Sequence, residues 1–209
     1  MANANRPWGL KPVKTLGGAD WDSRGNVYHI ISTDSTSSYY VGDVVKLSGT
    51  GDANGIPGIT KFAAGDAEAA SGINGAGPVG VIVAIGTNPQ GPWINPSDLT
   101  KVNAPATKAQ DYYALVCDDP FVIYEVQEGG SGTALPATAI GLNCRLSITA
   151  NQTTGFVSST ILDNATEATT IGMDVRLLGL SRTPGNAFGY YAKWLVLLNS
   201  HAFRSTTGV

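Results

Sequence analysis

Leu142-Asn143-Cys144-Arg145-Leu146-Ser147-Ile148-Thr149 alternates apolar and polar side chains without a break. A strand turns successive side chains to opposite faces, so the stretch reads as a half-buried β-strand with Leu142, Cys144, Leu146 and Ile148 inward. The same short-period pattern recurs on both sides of it. Residues 27–31, 39–47 (broken at Gly42-Asp43), 79–85, 112–118, 121–128, 175–181 and 192–199 read as strands, with 156–161 as a weaker one. In 79–85 the spacing puts Val79, Val81, Val83 and Ile85 on one face and leaves Gly80 and Ala84 on the other. Asp119-Pro120 is a turn pair, which predicts that 112–118 and 121–128 form a hairpin. Arg182-Thr183-Pro184-Gly185-Asn186 predicts a second hairpin that closes the chain. Nowhere do ten residues show helical periodicity; 67–71 and 96–100 have room for a turn or two.

About eight short strands without alternating helices exclude a parallel α/β sheet. The expected fold is mainly β: a jelly-roll-like sandwich or barrel with an extended N-terminal arm and long loops. Twenty-six glycines and eleven prolines among 209 residues supply the turns. The long Gly-, Ala-, Asn- and Ser-rich segments 48–77 and 86–110 are expected to be functional or ordered by a neighbour. No internal repeat and no linker divides the chain, so 1–25 is assigned as the arm and 26–209 as a single β-rich domain.

The arm contains Trp8, Leu10, Val13, Leu16 and Trp21 among Pro7, Pro12 and several glycines, with Arg6, Lys11 and Lys14 and no acidic side chain in its first sixteen residues. Tryptophans on a segment with no core of its own need a surface to lie on. That surface is either the chain's own body or another subunit, and the composition favours the second. Arg6, Trp8, Leu10, Lys11 and Trp21 are therefore the candidate partner-binding residues.

Charge is sparse, at 14% of residues, and the net charge is −3. That balance gives no electrostatic footprint for nucleic acid, and no apolar run is long enough for a membrane span or a secretory signal. Cys117 and Cys144 fall in apolar strands and read as buried thiols. Asn151-Gln152-Thr153 and Asn164-Ala165-Thr166 match a glycosylation pattern that carries no chemistry without secretion. Gly75-Ala76-Gly77-Pro78-Val79-Gly80 has the spacing of a dinucleotide-binding turn, yet it precedes a strand where that motif needs a helix. Two histidines, His29 and His201, seed neither a metal site nor a catalytic triad. His29 reads as a core or interface histidine and His201 as a solvated one. Asp118-Asp119-Pro120 and Asp52-Ala53-Asn54-Gly55 read as turns. No catalytic residue, cofactor or metal is expected.

Four segments then carry a resemblance. Arg6-Pro7-Trp8-Gly9-Leu10-Lys11-Pro12-Val13, Gly77-Pro78-Val79-Gly80-Val81-Ile82-Val83, Val116-Cys117-Asp118-Asp119-Pro120-Phe121-Val122-Ile123-Tyr124-Glu125-Val126-Gln127, and Leu177-Leu178-Gly179-Leu180 with Tyr191-Ala192-Lys193-Trp194-Leu195-Val196-Leu197-Leu198-Asn199 resemble, in this order, structural proteins of tailed-bacteriophage heads of the cement or decoration type. The resemblance implies a virion protein on the capsid surface, made in the host cytoplasm. It further implies that the arm fastens onto the major capsid protein, that no cofactor is used, and that the protein binds neither nucleic acid nor membrane. Icosahedral binding sites make a homo-oligomer natural, a homotrimer ahead of a homodimer. The alternatives are a sugar- or receptor-binding β-module of the virion, an enzyme with an unrecognised site, and the major capsid protein itself.

Overall fold

The computed structural model of the chain describes residues 3–63, 66, 77–90, 103–148 and 157–204. Those residues form β1 (Lys11–Thr15), β2 (Asn26–Ile30), β3 (Tyr39–Tyr40), β4 (Val44–Gly51), β5 (Pro57–Lys61), β6 (Pro78–Gly86), β7 (Asn103–Ala104), β8 (Tyr112–Cys117), β9 (Val122–Gln127), β10 (Asn143–Ser147), β11 (Ile161–Ala168), β12 (Val175–Leu180) and β13 (Lys193–Leu198). The chain is mainly β. Strands β2-β5-β4-β6-β8 close into a barrel, and β1-β9-β13-β12-β10-β11 form a six-stranded sheet. All pairings are antiparallel except β2 with β5, and β3 and β7 make a separate small pair. A bridge between Glu128 and Leu162 curls the large sheet so that β11 approaches the end of β9. These pairings give a barrel beside a curled sheet and do not establish a jelly roll.

Two apolar clusters follow from the alternation. Tyr28, Ile30, Val45, Ile59, Ile82 and Val116 belong to the one centred on the barrel. Cys144, Leu146, Val175, Leu177, Trp194 and Val196 come from the large sheet and share a cluster with Val44, Phe62, Val81 and Cys117 of the barrel side. This shared cluster holds the two halves together, each fully buried Val or Leu contributing about 1.5–3 kcal/mol. In β13 the inward set is Trp194, Val196 and Leu198, so Lys193, Leu195 and Leu197 look outward. In β10 the inward pair is Cys144 and Leu146, as the opening alternation requires. Hairpin β12–β13 closes the chain through the 182–186 tip, and both cysteines are buried free thiols.

Several expectations change. β8 and β9 do not pair: β8 belongs to the barrel and β9 to the large sheet. The Asp118–Phe121 turn is a crossing between them, and Asp119 accepts the Phe121 N–H at 2.8 Å as it would in a hairpin turn. In β6 the register shifts between Ile82 and Ala84 and again opposite Val45 and Lys46. These bulges put Val79, Ile82 and Ile85 in the barrel cluster and Val81 in the other, so the four-residue face at Val79, Val81, Val83 and Ile85 is not formed. The 48–77 segment contains β5, paired with β4 around the Asp52–Gly55 turn, where Asp52 accepts the N–H groups of Asn54 and Ile56. The 67–71 and 96–100 turns, Thr149, Phe156 and the Gly75-Ala76 start of the glycine pattern lie outside the described residues. Of the weaker strand expected at 156–161, Val157 makes only an isolated bridge to Val41, and the strand there begins at Ile161.

Candidate interaction surface

The arm lies on its own body. Asn3 donates to the carbonyl oxygens of Ala187 and Tyr190, and the Arg6 N–H donates to Gln127 Oε1 at 2.7 Å. Gln127 in turn donates to Asn5 Oδ1 at 2.9 Å. Residues 11–15 are then a strand of the large sheet, β1 pairing with β9 from Lys11↔Glu125 to Thr15↔Val122. Its apolar residues and a neighbouring edge with open hydrogen-bonding groups account for this: an unpaired strand edge takes up an adjacent extended segment.

Between these anchors the arm crosses the β3–β4 connection at very close range. The Leu10 N–H donates to the Gly42 carbonyl at 2.9 Å. Gly9 and Gly42 both have positive φ, at 66° and 93°. A Cβ on Gly9 would sit 2.3 Å from the Gly42 oxygen, and one on Gly42 would sit 2.2 Å from the Trp8 oxygen. Only glycine fits either position.

That crossing fixes the side chains on either side of it. Trp8 is 60% exposed while Leu10 is 1% exposed. Leu10 is core: its side chain packs in the apolar cluster between sheet and barrel, and what it offers a partner is limited to the wall of the hollow beside Trp8. Trp8, Lys11 and Trp21 border one hollow of about 330 Å³, with Val41, Val83 and Leu115 contributed by the barrel side. Trp21 is partly buried and donates its Nε1–H to the Arg24 carbonyl at 3.2 Å. Arg6 is on the other side of Trp8, where it lines a hollow of about 250 Å³ with Lys11, Glu125 and Lys193. The structure thus brings Trp8, Lys11 and Trp21 together around a hollow that the buried Leu10 also lines, and sets Arg6 next to them. Val41, Val83 and Leu115 were not foreseen, because the bulge in β6 decides where Val83 points.

The buried ionisable groups lie elsewhere. His29 Nε2 is 3.2 Å from Asp111 Oδ2, and His29 is buried as expected. His201 is buried too, at 1% exposure, not solvated as its polar neighbours suggested; burial pushes its pKa down to about 4. The 3-10 turn Ala202–Arg204 explains the difference, since it folds the C-terminal segment back and the Phe203 N–H donates to His201 Nδ1. Neither histidine lines either of the hollows beside Trp8. Burial pushes the Cys117 thiol up to about 11 and the Cys144 thiol to about 12, which keeps both protonated and unreactive at neutral pH. Among the described residues no group of three or more His, Cys, Asp or Glu side chains is arranged to hold a metal ion.

Comparison with protein-family models, with curated proteins and with solved structures found no match.

Proposed function

We propose that the chain is a structural protein of a tailed-phage head that binds the outside of the shell and bridges major capsid protein subunits, stabilising the mature particle. The observation that carries this reading is Trp8, a large aromatic left mostly exposed on a backbone locked by the Gly9–Gly42 crossing, beside an apolar hollow it shares with Trp21. Buried aromatic anchors dominate protein interfaces, and a rigid backbone lowers the ordering cost of docking them. Trp8 and Trp21 are the contact residues, with Arg6 and Lys11 at their edge. The protein acts without catalysis or cofactor, on the capsid surface, after synthesis in the host cytoplasm. It assembles with itself, as a homotrimer in preference to a homodimer, so that several modest contacts act together on one shell.

The resemblance of the four segments to head cement proteins supports the same reading. Its test is co-sedimentation with shells stripped of the protein, comparing wild type with Trp8→Ala; binding by wild type and its loss in the variant is the expected result. A second reading, a sugar- or receptor-binding module of the virion, is favoured by Phe188 and Tyr190, both exposed on the loop before β13. A glycan array without hits removes it.

A further inference from the structure

The surface around the arm carries its charge unevenly. A hollow of about 1000 Å³ at the large sheet is lined by Leu178 and Leu195 together with Lys11, Lys14, Arg182 and Lys193. Its one carboxylate, Glu125, lies 3.8 Å from the Lys193 ammonium and accepts a hydrogen bond from the Thr183 hydroxyl at 3.0 Å. The chain has thirteen cations and sixteen anions, so four cations and one anion in this hollow leave nine against fifteen for the rest.

Just past the end of β1, where Asp20 bridges back to Lys14, the surface turns apolar and acidic. Leu16 and Phe121 are 50% and 52% exposed, and the Leu16 N–H donates to the Phe121 carbonyl at 2.9 Å. The neighbouring hollow, about 850 Å³, is lined by Asp20, Asp22, Asp118 and Asp119 and by Arg24, which pairs with Asp22 at 2.8 Å. The buried Asp118 accepts from Asn26 and Tyr28, so Asp20 and Asp119 carry most of the negative charge offered to a partner. An apolar knob among carboxylates and a leucine-lined hollow among cations therefore exist on the same chain.

We propose that the basic hollow of one copy receives the Leu16–Phe121 knob of a second copy, so that the carboxylates around the knob meet the lysines and arginine around the hollow. The contact is knob in hollow, either reciprocally about a two-fold axis or head to tail around a ring; hollow on hollow is disfavoured because it sets cation against cation. The leucine lining suits a protein segment; a single-stranded nucleic acid would call for exposed aromatic faces there. This inference rests on the homo-oligomer part of the proposed function and not on shell binding, for which Trp8 is kept.

The test is light scattering on the full chain over about a hundredfold range of concentration, at low and high salt. It compares wild type, Lys14→Glu/Arg182→Glu, Asp20→Lys/Asp22→Lys, and an equimolar mixture of the two variants. Wild type is expected to form an oligomer that weakens with salt. Each variant is expected to lose it by at least about tenfold in dissociation constant, and the mixture to recover a complex by pairing reversed hollow with reversed knob. Phe121→Ser, which changes no charge, should weaken assembly as well, and thermal unfolding of each variant separates lost contacts from lost folding. An oligomer unchanged by all three variants overturns the contact and leaves self-assembly standing. A monomer at every concentration overturns both. Binding of a DNA duplex that Lys14→Glu/Arg182→Glu abolishes, with no change in assembly, assigns the hollow to nucleic acid and overturns the contact too.

Discussion

Glu128 sits where the large sheet curls closed. It is fully buried, its Oε2 accepts the Trp194 indole N–H at 2.6 Å, and burial lifts its carboxyl pKa to about 7. A carboxyl whose folded pKa is raised is most stabilising when protonated: its contribution is complete below about 4.5 and is lost as pH rises toward 7, about 3 kcal/mol in all. His201 acts with the opposite sign, since its lowered pKa favours the fold above about 6.5 and costs stability as pH falls toward 4. The two offset each other in the wild-type chain, so the test is a difference. Glu128→Gln should gain in melting temperature over wild type progressively from pH 5 to pH 8. An unchanging difference would mean that Glu128 does not titrate in this range. The Lys61–Asp43 pair makes a second residue-scale prediction. At 2.9 Å and nearly buried, with Asp43 also accepting the Tyr40 N–H, it leaves an uncompensated charge when one partner goes. Lys61→Met should cost about 3–5 kcal/mol in a denaturant titration, and a loss under about 1 kcal/mol would contradict the account.

At the scale of elements, the arm is the part whose placement matters. Gly42→Ala puts a methyl group against the Trp8 carbonyl at a positive φ, so it should release residues 3–10. The expected signs are a stability loss of about 2 kcal/mol or more, read as a lower melting temperature, and new proteolytic cleavage before residue 11. Cleavage unchanged from wild type would show that the crossing does not hold the arm. Deleting the arm outright is a poor probe, because it removes β1 and the buried Leu10 together with Trp8. The elements also show what a sequence makes legible. β10 and β13 are readable because one face of each packs on a core and the other does not, which writes a period of two into the chain. The crossing between β8 and β9 is not readable: Asp119-Pro120 has the same local chemistry whether the chain returns in its own sheet or passes to another. The faces of β6 are decided by bulges that answer to the strands beside it. At the candidate surface, Trp8 and Trp21 stood out because large aromatics on an irregular segment need a surface. Leu10 looked the same from composition and became core because the Gly9–Gly42 crossing and the pairing of β1 lay it between sheet and barrel.

The whole molecule is a barrel and a curled sheet sharing one apolar cluster, with the arm laid across their junction. Trp8 is therefore held in a fixed relation to both halves, which is the arrangement a protein that bridges shell subunits would use. The proposed self-docking hollow adjoins the Trp8 surface along the same strand and shares Lys11 with it. Binding of purified protein to shells of the parent phage stripped of it tests the central claim most directly, read as copies bound per major capsid subunit. The account predicts saturation at a fixed simple ratio by wild type, with Trp8→Ala folded as wild type and failing to saturate. Wild-type protein that stays in the supernatant at every concentration would contradict it.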